Sequence, residues 1–129
     1  MNFVEATKCY FIKWIDFNTR ISRSEFWWGN LGALIVSLLL GACVGFMVGV
    51  VGSMLGLDID ALLDLMMLPI QLFLFIAGIS LIVRRLHDIN KSGWWMLIVF
   101  TIVGIIVLLI WECQQGDEGE NRFGPNPLD

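Results

Sequence analysis

RRLHDINKSGWW, residues 84–95, is the stretch whose reading decides the fold. It sets four charged side chains and the chain's one histidine between two long apolar runs, and it closes on paired tryptophans. Residues 65–83 before it and 93–111 after it each run 19 residues without a charge. About 20 apolar residues cross the hydrocarbon core of a bilayer. Each run therefore reads as a transmembrane span, and the charged stretch as the turn that ties the two at one membrane face.

Moving outward, residues 26–57 are uncharged over 32 positions. Two crossings would need about 40, so this run reads as one long, tilted or overhanging span. The connecting segment 58–64, DIDALLD, carries three acids and no base. Pro69 reads as belonging to the first turn of the span that follows, where a missing N–H costs least. The whole chain is 129 residues and 57% hydrophobic, with a mean hydropathy of +0.78. That is too apolar for an ordinary soluble domain.

Residues 1–17 are helical in period, with Phe3, Thr7, Tyr10, Phe11, Trp14 and Ile15 on one face and Glu5, Lys8, Lys13 and Asp16 opposite. An aromatic face beside lysines suits the plane of the membrane interface; a helix packed on the protein's own cytosolic surface is the plainer reading. Ser22 and Glu25 form a capping box, with Ile21 and Phe26 at the staple positions, so a helix starts there. The tail, 112–129, is acidic and rich in Gly, Pro and Asn, which predicts irregular structure. The expected architecture is an all-α integral membrane protein of one domain, 1–129. It has an interfacial N-terminal helix (1–17), three transmembrane helices (26–57, 65–83 and 93–111) and an irregular tail.

Orientation follows from the bases. Seven of the eight Lys/Arg lie in residues 1–25 or 84–91, and the other is Arg122 in the tail. The positive-inside rule puts the first two groups in the cytoplasm, and three crossings then put the C-terminus outside. All six tryptophans fall at a run boundary or on the N-terminal aromatic face, as an aromatic belt does. Segregated charge of this kind argues against nucleic-acid binding, which needs a broad basic surface. Cys9, Cys43 and Cys113 are far apart, and no metal-ligand spacing accompanies the single histidine, so neither a metal nor another cofactor is expected. Leu40-Gly41-Ala42-Cys43 looks like a lipoprotein cleavage box. The long charged leader before it and the apolar chain after it weigh against processing.

Gly29, Ala33, Ser37, Gly41, Gly45, Gly49 and Ser53 recur every four residues along the first run. Such a stripe winds slowly around a helix and lets another backbone approach closely, which in lipid is a main route to helix association. The partner helix is either internal or another subunit's.

Three segments together resemble the small bacterial inner-membrane family known as domain of unknown function 805. They are Arg20, Arg23, Glu25, Phe26 and Trp27; then Arg84, Arg85, Leu86, His87, Asp88, Ser92, Gly93, Trp94 and Trp95; then Gly119, Asn121, Gly124, Pro125 and Pro127. The resemblance covers nearly the whole chain and implies a multi-span membrane protein with no assigned activity. The chain departs from the family pattern at Thr19 and Asn90, where members carry glycine. Asparagine accepts left-handed backbone more readily than threonine does, so Asn90 is expected to keep a turn.

For function, the plain reading of the central stretch is a tight turn with snorkelling anchors. The sharper one gathers Arg20, Arg23, Arg84, Arg85 and Lys91, with Glu25, His87 and Asp88, among Trp27, Trp28, Trp94 and Trp95. That would be a cytoplasmic pocket for anionic lipid headgroups or for an acidic segment of a partner membrane protein. A homo-oligomeric channel or transporter is the alternative, resting on the small-residue stripe. Catalysis is not expected: His87 and Asp88 are adjacent, point about 100° apart on a helix, and no nucleophile accompanies them.

Overall fold

The computed structural model describes residues 1–129. Its elements are α1 (Phe3–Ile12), α2 (Arg23–Leu55), α3 (Ile59–Asp88), a 3-10 segment (Gly93–Phe100) and α4 (Ile102–Cys113). The chain is all-helical, and its one β feature is an isolated bridge between Asn121 and Gly124 in the tail.

α2 starts where the capping residues put it. Ser22 is the N-cap, and its hydroxyl accepts from the Glu25 amide at 3.3 Å. The reciprocal half of the box is missing, because the Glu25 carboxylate turns inward instead. Ile21 and Phe26 are buried together in the core. The helix runs 33 residues, roughly 50 Å at 1.5 Å per residue. It ends on Gly56, whose left-handed backbone (φ 66°) closes the last turn onto Gly52.

α3 begins earlier and ends later than the apolar run 65–83. Asp58 caps it by accepting from the amides of Asp60 and Ala61. The acidic segment is thus the helix's own first turns, where carboxylates meet the positive end of the helix dipole. Pro69 consequently sits inside the helix rather than in its first turn, and leaves the Leu65 carbonyl without its usual donor. At the far end, Arg84, Arg85, Leu86, His87 and Asp88 are helical too, and the turn falls on 89–92. Asn90 adopts φ 56° there, as expected of it. Thr19 keeps a negative φ, and its hydroxyl donates to Asp16 at 2.6 Å. α2 and α3 are both long and apolar enough to cross a membrane.

The third run is not one helix. It breaks at Thr101, which is extended and caps α4 by accepting from the Gly104 amide at 3.0 Å. The eight-residue 3-10 segment rises roughly 16 Å at 2.0 Å per residue. The twelve residues of α4 rise roughly 18 Å. Neither covers a hydrocarbon core of about 30 Å. They fold back on each other as a hairpin, closed where Gly104 sits against the Ile98 carbonyl so tightly that a Cβ would collide with it. The run therefore ends beside Arg85, at the end of α3 where it began. A single 19-residue crossing over 93–111 does not form.

α1 is shorter than the 1–17 expected of it, and residues 13–22 are a non-helical strap. Asn2 and Glu5 supply its capping box. α1 packs on the protein itself rather than standing apart from it. Phe3 meets Trp28 edge-on, Ala6 faces Gly29 and Thr7 presses on Gly32. Tyr10 donates to the Leu74 carbonyl of α3 at 3.1 Å. Ser80 then donates to the Asp16 carbonyl at 2.6 Å and fastens the strap. Burial raises the Asp16 carboxyl, but hydrogen bonds from the Thr19 hydroxyl and the Asn18 and Thr19 amides overcome it and hold it below the usual carboxylate range.

The core, with Tyr10, Ile21, Phe26, Ala33, Ala77 and Leu81, lies at one end of the α2/α3 pair. The small-residue stripe divides accordingly. Gly29 and Ala33 pack internally, a Cβ at Gly41 would meet only Met67, and one at Gly45 or Gly49 would point into open space. Gly32, outside the stripe, is where α1 comes closest. A Gly32→Ala change should lower the unfolding temperature in detergent, because overpacking typically costs roughly 1–3 kcal/mol of stability. Gly45→Ala should leave it level or raise it, since alanine is the better helix former. Equal effects at both positions would count against the docking of α1.

Candidate functional site

Asp88 closes α3 in the place where three separate segments converge. Its side chain is 4% exposed and pairs with two guanidinium groups: Arg20 from the strap at 3.1 Å, and Arg85 one turn back on α3. A single carboxylate cannot balance two buried cations, and the tail supplies the remaining acceptors. Arg20 donates through Nε to Asp88 and through the NH1 nitrogen to the Gly119 and Gly124 carbonyls at 2.8 and 3.0 Å. Through NH2 it donates to Asp88 and to the Asp117 carbonyl at 2.8 Å. All five of its N–H groups are used. Arg85 reaches the carbonyls of Glu112 (3.0 Å), Gln114 and Ile21.

The tail is therefore structural and lies against α3, not on the far side of the chain. The Asp117 amide donates to the Asp88 carbonyl at 2.8 Å. Asn121 donates to the His87 carbonyl at 3.0 Å, and Arg122 to that of Asn90 at 2.9 Å. Phe123 stacks on the His87 ring, centroids 3.8 Å apart and planes within 6°. Gly119 and Gly124 take positive φ to make these bends. At Gly116 the tail passes so close to the Asp88 carboxylate that no Cβ would fit.

Arg84 is separate from this cluster. It faces the core and lies 3.8 Å from the Glu25 carboxylate, both side chains buried. Its three guanidinium nitrogens and Glu25 Oε1 have no hydrogen-bond partner. The pair is held by charge alone, and each ion depends on the other to stay buried.

Of the residues expected to share one basic, aromatic-walled pocket, the structure brings together Arg20, Arg85 and Asp88. It pairs Glu25 with Arg84 and stacks His87 on the tail. Arg20, Arg84 and Arg85 are all buried and line no open pocket: the protein fills the guanidinium groups of Arg20 and Arg85 with acceptors, and Arg84 faces Glu25 in the core. The four tryptophans are not walls around them. Trp27, Trp28, Trp94 and Trp95 are all exposed, Trp94 to 79%. Arg23 is exposed and within 3.5 Å of the Cys113 carbonyl. Lys91 has no carboxylate partner, and its ammonium sits 4.4 Å over the ring of Trp111, itself edge-on to Trp95. Sequence reasoning missed Trp111 as a partner of Lys91, and it missed the tail carbonyls altogether. The signals were present in Thr101 and Gly104, which interrupt the third run, and in the paired glycines of the tail.

The family described as protein of unknown function (DUF805) matches residues 14–125. "Inner membrane protein YhaI" of Escherichia coli K12 is 34% identical over 115 residues, covering 88% of this chain and 87% of that protein. "Inner membrane protein YhaH" of the same strain is 29% identical, covering 88% of each. No solved structure matches the chain.

Asp88→Asn would leave two buried guanidinium groups without their shared carboxylate. Breaking a buried pair in this way costs about 3–5 kcal/mol. The tail amides, Asp117 above all, should then exchange with deuterium much faster than those of α2. Unchanged protection across 114–124 would remove Asp88 as the tail's anchor.

Proposed function

The chain belongs to this family of inner-membrane proteins of unknown function, and we propose that it is a non-enzymatic accessory protein that crosses the bilayer twice and holds an anionic lipid headgroup at its charged end. All eight Lys/Arg fall in the N-terminal segment, the 84–91 stretch and the tail, which meet at that end of the α2/α3 pair. The positive-inside rule assigns that end to the cytoplasm. α2 and α3 are the crossings, the hairpin enters and leaves on the cytoplasmic side, and both termini are cytoplasmic.

Lys91 carries the headgroup reading. Its neighbours in the central stretch are neutralised by Glu25 and Asp88, whereas Lys91 is unpaired. It stands at the mouth of a slot of about 410 Å³ between the hairpin arms, lined by Trp95, Ile98, Gly104, Val107 and Trp111. An ammonium at the rim and an apolar slot below suit a lipid phosphate and the start of its acyl chain. The non-enzymatic reading is supported by the engagement of the two candidate groups. Asp88 is held by two arginines, and His87 Nδ1 lies 3.3 Å from the Thr19 carbonyl.

A second reading, subunit of a homo-oligomeric channel or transporter, draws on the open space beside Gly45 and Gly49. A second copy of the chain could close on that half of the stripe.

Two measurements test these readings. In a variant lacking the native cysteines, Glu118→Cys should resist a membrane-impermeant maleimide in intact spheroplasts, and Asp60→Cys should react. Labelling of both would end the two-crossing topology. Native mass spectrometry from phosphatidylglycerol nanodiscs should show one retained lipid, reduced roughly tenfold by Lys91→Glu, about 1.4 kcal/mol. A discrete oligomer without retained lipid would favour the channel.

A further inference from the structure

On the other side of the hairpin lies a second cavity, of about 470 Å³, between α3, the strap, the 3-10 segment and the tail. Residues three apart eclipse on a 3-10 helix. Trp94 and Leu97 accordingly form one wall of this cavity, while Trp95 and Ile98 line the slot at Lys91. The two spaces share no lining residue. Ile79 and Val83 of α3 supply the opposite wall, and Gly93 fits because a Cβ there would stand 2.7 Å from Val83. The volume falls within the range of small-molecule sites.

No charged side chain lines this cavity. Its polar groups are Asn18, His87 and Ser92, and each has unused hydrogen-bonding capacity. The Asn18 side-chain amide and the Ser92 hydroxyl make no hydrogen bond within the protein, and Ser92 caps its segment without one. His87 has Nδ1 at the Thr19 carbonyl, which makes that nitrogen the N–H donor and leaves Nε2 an acceptor. Stacking on Phe123 holds the ring in place. Trp94, Leu97 and Phe17 are exposed at the rim, so the space is open at the level where tryptophans meet headgroups.

We infer that this cavity is a binding site for an uncharged lipid whose polar end is a hydroxyl. A hydroxyl donates to His87 Nε2 and accepts from Asn18 or Ser92, while its chain lies against Ile79, Val83 and Leu97. No cation lines the cavity for an anionic headgroup: Arg84 and Arg85 are buried, and Arg122, the nearest exposed base, lies over the Phe123 ring at 4.6 Å and donates to the Asn90 carbonyl. Burying a phosphate without a cation is unfavourable. The site is separate from the slot at Lys91 and does not depend on it.

The full chain in nanodiscs would be irradiated with a diazirine-bearing diacylglycerol and the adducts mapped by mass spectrometry. Adducts are expected within 79–97, competed by dioleoylglycerol and not by dioleoylphosphatidylglycerol. Competition by a long-chain prenol as well would identify the hydroxyl pole, not the glyceride, as what is recognised. Ile79→Trp, which fills the cavity, should abolish them. Ser92→Ala, which removes no intramolecular bond, should weaken labelling several-fold, as loss of one neutral hydrogen bond does. Lys91→Glu should leave it unchanged. Equal competition by the anionic lipid, or labelling indifferent to both Ile79→Trp and Ser92→Ala, would overturn the assignment.

Discussion

Asp88 is the point on which the charged end depends. One carboxylate at the last residue of α3 is shared by Arg20 and Arg85, and the excess positive charge is absorbed by main-chain carbonyls of the tail. Buried ions carry a desolvation penalty of several kcal/mol each, which an opposite charge and added hydrogen bonds offset. Arg20 achieves this because its planar fork reaches five acceptors at once, which a lysine could not. The tail therefore has to come back to this end of the molecule. That requirement settles the path of everything after Asp88.

The hairpin is the consequence. A chain that leaves α3 at Asp88 and must return its residue 114 carbonyl to Arg85 has no length left for a crossing. Thr101 and Gly104 make the reversal, one by capping α4 and the other by having no side chain where the arms meet. Glu25 and Arg84 play a different part. They tie the start of α2 to the end of α3 inside the core, without hydrogen bonds, so the tie is only as strong as the low polarity around it.

Packing is concentrated at the same end. α1 wedges onto α2 at Gly29 and Gly32 and onto α3 at Leu74, and the strap returns along α3 through Ser80. The opposite halves of α2 and α3 carry exposed apolar side chains such as Phe46, Met54 and Leu65. In a soluble protein such surface would be a liability. In a bilayer it is the ordinary lipid-facing surface, which needs no internal partner. The molecule is a compact charged end carrying two bare apolar helices.

By itself the sequence determined the helical class, the membrane setting, the apolar stretches that α2 and α3 contain, the cap at Ser22 and the turn at Asn90. These follow from local rules: the length of an apolar run, the side chain that satisfies free amides, the residue that tolerates positive φ. Only the tertiary structure decided that the third run doubles back, that the tail is an integral part of the charged cluster, that Arg20 and Arg85 are filled from within, and that Arg84 is buried against Glu25. A run of 19 apolar residues looks the same whether it crosses or reverses. What separates the two is where the carbonyls beyond it are needed, and that depends on arginines tens of residues away. Charge pattern located the charged end of this protein; the pairing of each charge, a matter of distance in space, left Lys91 as the unpaired cation of the central stretch.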